Sequence, residues 1–312
     1  MEEIIRIQDL TKRYGRTGVL ANDHINLSIQ RGEIIGVFGP NGAGKTTLVR
    51  QISGLLRPTM GSITMAGHDV VSRPGVVPSI AAYYSQRGLA LSSFQFVEIL
   101  LHAGIHRGLK KDQARREATS LIDYFECGGV ANKFLYRMSG GERRLAFLLS
   151  TFVGHHPVLL LDEPTNELDP TNRLRVWRYL LDHNRSEGTT IVLVTHNVLE
   201  AETVIDRVAV VDRGRIVALG TQGELKAKLA ATTRIVVTLR PGFSPSGILA
   251  SAIHVHGQTW ALPVVESEIP ASLQSVIQDM GMEVIDNFRV SSCSLDDVYQ
   301  RLTGRVWDAQ PA

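Results

Sequence analysis

The chain has 312 residues, 44% of them hydrophobic and 21% charged, with 28 Gly and 12 Pro. At roughly 150 residues per domain this makes about two domains with a core that needs no staples, and the balance excludes a disordered, collagen-like or coiled-coil chain. Lys and Arg number 33 against 31 Asp and Glu, so the net charge of +2 gives no electrostatic case for nucleic acid, while two cysteines, Cys127 and Cys293, make no disulfide framework and suit a reducing cytosol.

The first 230 residues alternate short β-branched runs with helical patterns, which predicts an α/β fold with a mainly parallel sheet. Strands are expected at Ile4–Asp9, Glu33–Phe38, Ser62–Met65 and Ile80–Tyr84. From about residue 88 to 153 the spacing becomes helical: Val97, Leu100, Leu101 and Ile105 fit one face, and Ala118, Leu121, Ile122 and Phe125 another. That stretch is expected to be a helical subdomain inserted into the core. Strands resume at Val158–Leu161, Thr190–Val194, Val208–Val211 and Arg215–Ala218.

Composition changes after Lys228, the last lysine. Residues 231–312 carry a net −3 against +5 for residues 1–230. Their pattern runs strand Arg234–Leu239, Pro/Gly/Ser-rich Pro241–Gly247, a weak helix, strands near Ile253–His256 and Thr259–Val265, helix Ala271–Met280, strand Met282–Arg289 and a last helix Leu295–Leu302. That order predicts a small α+β domain of ferredoxin-like type. No apolar run approaches the roughly 20 residues of a membrane span, and Met1-Glu2-Glu3 opens no signal peptide.

Two stretches carry chemistry on their residues alone. Gly39-Pro40-Asn41-Gly42-Ala43-Gly44-Lys45-Thr46, followed by Thr47, fits G-x-x-x-x-G-K-[ST] between an apolar strand and a helix. In such a loop successive backbone N–H groups point at phosphate oxygens, Lys45 neutralises the outer phosphates and the Thr46 hydroxyl ligates Mg²⁺. Further on, the buried strand Val158–Leu161 delivers Asp162 and Glu163 to its C-terminal edge, where ligands bind in open α/β sheets. Asp162 suits Mg²⁺, and Glu163 suits the orientation and deprotonation of an attacking water. Read alone, an Asp-Glu pair ending a strand is more often a turn feature.

With Ser139-Gly140-Gly141-Glu142 before a helix, the chain closely resembles an ATP-binding cassette (ABC) ATPase. The resemblance covers residues 1–230 and makes Ser139–Glu142 the signature loop, Gln86 the Q-loop glutamine, Asn166–Asp169 the D-loop, His196 the switch histidine and Tyr14 the ring that stacks on adenine. It implies a head-to-tail dimer, with itself or a paralogue, in which Ser139 and Gly141 of one subunit close on the ATP held by Lys45 of the other. Gln86 would also approach the metal, and His196 would be catalytic together with Glu163, Gln86 and Lys45. Two departures stand out: Met138 replaces the usual Leu, and Glu142 the usual Gln, with Arg143 or Arg144 expected to neutralise the carboxylate.

The tail, ending Ser294-Leu295-Asp296-Asp297-Val298-Tyr299 and Leu302-Thr303-Gly304, resembles the extension of drug, antibiotic and polysaccharide exporter ATPases. That implies a separate transmembrane permease and a place on the cytoplasmic face of the cell membrane. Leu89, Leu91, Phe94 and Phe96 are candidate lining of the permease groove, although core packing would account for half of them. A soluble ABC ATPase acting on ribosomes or DNA, or an importer ATPase with a regulatory tail, are the alternatives. His155-His156 and His254/His256 are weak metal candidates.

Overall fold

The computed structural model describes residues 2–15, 18–85, 93–195, 198–228, 233–291 and Tyr299. The chain divides into two compact units between Gly220 and Thr221. In chain order the first runs β1 (Glu3–Arg13), β2 (Leu20–Gln30), β3 (Ile34–Phe38), α1 (Lys45–Ile52), β4 (Met60–Met65), β5 (His68–Asp69), β6 (Ala81–Tyr84), α2 (Phe96–His106), α3 (Lys111–Tyr124), α4 (Gly140–Phe152), β7 (Val158–Asp162), α5 (Pro170–Glu187), β8 (Thr190–Val194), α6 (Val198–Ala201), β9 (Arg207–Asp212) and β10 (Arg215–Thr221).

Strands β3, β7 and β8 are buried at every position, as continuous apolar runs must be when both sheet faces are covered. They lie side by side in a six-stranded sheet of order β10-β9-β3-β8-β7-β6. The pairs β9–β3, β3–β8, β8–β7 and β7–β6 are parallel. Val37 pairs with Val194, and Val194 with Asp162, so the chain leaves β3 and β7 at one edge, one strand apart. A second, antiparallel sheet of order β2-β1-β4-β5 shares a core with α1 and this sheet.

Strand β2 is absent from the sequence reading because Asn22, Asp23, His24 and Asn26 break up its apolar pattern. Its inward residues Ile25, Leu27 and Ile29 are nonetheless buried, and so is Asn22.

In the helical part, α3 buries Ala118, Leu121 and Ile122, with Phe125 buried just beyond it, as expected. Helix α2 differs. It buries Phe96, Ile99, Leu100 and Gly104, whereas Ile105 is 40% exposed, so its inner face is rotated from the one read in the sequence. A Cβ at Gly104 would stand 2.8 Å from the Ala114 Cβ, so α2 and α3 touch through small residues that hydrophobic periodicity does not register. Phe96 is therefore core rather than partner groove; Phe94 is 38% exposed, and Leu89 and Leu91 lie outside the described residues.

The second unit holds α7 (Gln222–Lys228), β11 (Thr233–Leu239), β12 (Ile253–His256), β13 (Thr259–Val264), α8 (Ile269–Met280) and β14 (Ile285–Ser291). Its sheet has the order β12-β13-β11-β14 with every pair antiparallel. One face packs Ile235, Val237, Leu262 and Ile285 with Val276 of α8. The weak helix of the sequence reading is a single 3-10 turn, Gly247–Ser251, and the last strand starts at Ile285 rather than Met282. The expected helix Leu295–Leu302 falls outside the described residues except for Tyr299, which is buried. Among the described residues no helix is long and apolar enough to cross a membrane.

Candidate functional site

The loop from Gly39 to Gly44 is shaped by positions that only glycine fits. Gly44 has φ 106°, and a Cβ there would lie 2.1 Å from the carbonyl oxygen of Ala21. Lys45, the first residue of α1, is buried and curls back over the loop, donating to the carbonyls of Gly39 (2.6 Å) and Pro40 (3.0 Å). Burial holds its ammonium pKa below the usual lysine range, while Glu163 and Asp162 pull it back up. Asn41 and Gly42 at the loop tip, and Thr46, are exposed; Ala43 is buried. Thr47 follows one residue on in α1.

A buried amide pair absent from the sequence reading braces this loop. Asn22 Nδ2 donates to the Gly44 carbonyl (3.2 Å), and Gln51 Nε2 donates to Asn22 Oδ1 (2.7 Å). Two buried amides in otherwise apolar surroundings must satisfy each other or the backbone. The available signal was an Asn among the inward β-branched residues of β2.

The Asp162 Oδ1 accepts from the Thr46 hydroxyl at 3.2 Å, which joins the two motifs across 116 positions of sequence. Its other oxygen, Oδ2, is buried without a hydrogen-bond partner. Burial raises the Asp162 pKa above the usual carboxylate value, with the Thr46 hydrogen bond opposing. Glu163 is buried too, and its backbone has the left-handed value φ 54°, held by its N–H donating to Val194 O at 2.8 Å. A non-glycine residue there is costly and marks functional sites.

The signature residues begin α4. Ser139 is the N-cap: its hydroxyl accepts from the Glu142 N–H (3.2 Å), and the Glu142 carboxylate accepts from the Ser139 N–H (2.6 Å). Ser139 and Gly140 are exposed, and Met138 is buried beneath them. The Glu142 charge is met by Lys133, 2.9 Å from Oε2, and not by Arg143 or Arg144. Arg144 instead pairs with Glu167 (3.5 Å). That hydrogen bond from Lys133, then the Ser139 N–H, holds the Glu142 carboxyl below its usual range. Gly141 abuts Glu167, whose carbonyl oxygen would stand 3.0 Å from a Cβ there. Among the described residues no hydrogen bond or ion pair links Ser139–Glu142 to the phosphate loop.

Asp169 caps α5, accepting from the Asn172 N–H at 3.0 Å. Tyr14 is 44% exposed, with the Lys12 ammonium 5.4 Å from its ring centre. Gln86 and His196 lie outside the described residues. Among the described residues no group of three His, Cys, Asp or Glu side chains could hold a metal, which removes the histidine pairs as clusters.

The model of the ABC transporter family matches residues 22–166. The daunorubicin/doxorubicin resistance ATP-binding protein DrrA of Streptomyces peucetius is 34% identical over 319 residues, spanning 97% of this chain and 93% of the relative. The chain belongs to the ABC transporter family. A second relative of this cassette, the daunorubicin resistance ATP-binding protein DrrA3 of Streptomyces coeruleorubidus, is 36% identical over 318 residues, covering 96% of each. The fold of the cassette is that of a dimeric post-hydrolysis ATP-binding cassette bound to ADP and Pi, with TM-score 0.65 and 22% identity over 70% of this chain and 98% of that one. This cassette is the ATP-binding and ATP-hydrolysing subunit of an ABC transporter.

Proposed function

We propose that the cassette powers an exporter of drug-like molecules through a separate transmembrane permease, by ATP-driven closure of a head-to-tail dimer at the cytoplasmic face of the membrane. The hydrogen bond from Thr46 to Asp162 beside buried Lys45 carries the chemical part of this reading. Likeness to two resistance ATP-binding proteins over nearly the whole chain, the second unit included, favours export.

Backbone N–H groups of the loop residues other than Pro40, which has none, and the Lys45 ammonium receive the phosphates, with Thr47 following in α1. Lys45 then exchanges its carbonyl partners for phosphate oxygens. Thr46 Oγ1 lies 3.2 Å from Asp162 Oδ1, and the other carboxylate oxygen, Oδ2, has no partner, so these hard oxygens are a set suited to Mg²⁺. When bound, that ion neutralises charge on the phosphate oxygens. Glu163 accepts a proton from the attacking water, with Gln86 and His196 completing the site. Tyr14 stacks on the base. The N-terminus of α4, Ser139 to Glu142, closes the site of the opposite subunit, and Asp169 sits at the D-loop between them.

Glu163→Gln tests the assignment. Its ATPase rate is expected to fall by about a hundredfold or more with ATP binding retained, and a rate equal to the wild type overturns Glu163 as base. Detergent pull-down tests the partner: a polytopic membrane protein should co-purify, whereas ribosome or DNA co-sedimentation that survives moderate salt overturns the transporter reading.

A further inference from the structure

The N-terminus of α4 is suited to an anion, yet it carries its own carboxylate in the first turn. Glu142 occupies the third helical position, with Oε2 folded onto the Ser139 N–H. An uncompensated negative charge there would oppose the triphosphate that the same turn is meant to meet. The lysine that compensates it comes from outside the helix. Lys133 Nζ lies 2.9 Å from Oε2 and 3.2 Å from Oε1, both side chains being about one-third exposed.

Lys133 is held in place by its backbone. Its N–H donates to Val130 O (2.9 Å) and its carbonyl accepts from the Phe96 N–H (3.1 Å). The adjacent Phe134 bridges Gln95 in antiparallel fashion, and the Leu135 N–H donates to Phe94 O. The loop that presents Lys133 is thus tied to the start of α2, and the ammonium reaches Glu142 from a fixed base rather than as a loose surface side chain.

We infer that Lys133 is a positioning residue of the ATPase cycle: its ammonium cancels the Glu142 carboxylate and holds it on the Ser139 N–H, so that the signature turn presents net attraction to the phosphate bound by the opposite subunit. This rests on the head-to-tail reading above. Lys133 acts through Glu142 and touches no substrate. Its effect therefore depends on which residue stands at position 142.

The full-length chain, with its permease where needed for activity, is assayed in four forms: wild type, Lys133→Met, Glu142→Gln and the double variant. Lys133→Met should lower kcat/KM for ATP about tenfold in the Glu142 background, the scale of losing a charged hydrogen bond. The same change should cost less than about twofold when Glu142→Gln is already present, since no charge then needs cancelling. Affinity of the dilute chain for fluorescent ATP should be the same with and without Lys133→Met, and Lys133→Arg should recover most of the loss. An equal loss in both backgrounds overturns the inference in favour of a structural role, as does no loss in either. Failure of the underlying head-to-tail reading is separately visible, because the wild-type and Glu163→Gln chains would then show no ATP-dependent association in sedimentation or gel filtration.

Discussion

The phosphate-loop edge and the signature turn of the first unit are built in opposite ways. At the first, Lys45, Asn22, Gln51 and Asp162 are buried and tied to the loop or to one another: Lys45 to Gly39 and Pro40, Asp162 to the exposed Thr46 hydroxyl, and Asn22 to Gly44 and Gln51. At the second, Ser139 and Gly140 stand exposed, held by the capping box, by the Arg143 N–H on Ser139 O and by Lys133 on Glu142. On the head-to-tail proposal, the contrast separates a preformed pocket from a half-site. Burying the pocket fixes its electrostatics, whereas the turn must stay open to meet a partner and keeps its anion affinity in helix dipole and first-turn N–H groups.

Two perturbations test that contrast, and a third probes the end of β7 away from Asp162. The largest effect is expected at the open half. Gly141→Val places a branched side chain against Glu167 O, which already lies 3.0 Å from a Cβ at that position. ATPase activity should fall about a hundredfold, the scale of losing a donor that meets transition-state charge, while the dilute chain binds ATP normally. Loss of binding to the dilute chain would mean that the two halves share one pocket.

Next comes the brace of the closed half. Asn22→Leu removes two buried hydrogen bonds, although Gln51 Nε2 keeps Thr47 O and the Gly44 carbonyl keeps the Leu48 N–H, and should lower unfolding free energy by about 2 kcal/mol in denaturant titrations, with weaker ATP binding. A change within experimental scatter would show that the loop holds its shape without the amide pair.

The smallest effect lies at neither half. His156, just before β7, sits at the opposite end of that strand from Asp162; it is buried, both ring nitrogens lack partners, and burial, helped by Arg107, lowers its pKa to about 4. The unfolded imidazole takes up its proton near pH 6.5 and the folded one only near pH 4. Stability is therefore lost as pH falls through that window and is unaffected above it. Between pH 7 and pH 5.5 the loss should be about 1 kcal/mol, measured as the difference in pH dependence between wild type and His156→Leu. Equal pH dependence in the two would sink the assignment.

Features set by local rules were the readable ones. The phosphate loop is legible from glycine spacing between strand and helix, and the bounds of β8 agree with the sequence because Thr190 and four apolar residues end at polar Thr195. Ser139, which stands before a helical stretch in the sequence, is the N-cap of α4. What escaped was tertiary. Strand β2 hid behind Asn22 and His24, whose hydrogen bonds exist only once β1, α1 and the loop are assembled. The inner face of α2 escaped because Gly104 packs by having no side chain. The partner of Glu142 was sought among its nearest arginines, but the helix directs Arg144 towards Glu167 and leaves the charge to a lysine on a preceding loop.

The resting posture of Lys45 has a kinetic consequence. Because the Gly39 and Pro40 carbonyls already host its ammonium, an arriving nucleotide finds an ordered cradle and need only displace two short bonds within it. Little conformational entropy remains to be lost at that step, so capture should proceed close to the encounter rate, and the slow, salt-sensitive event of the cycle should be the meeting of two chains around what each has already caught.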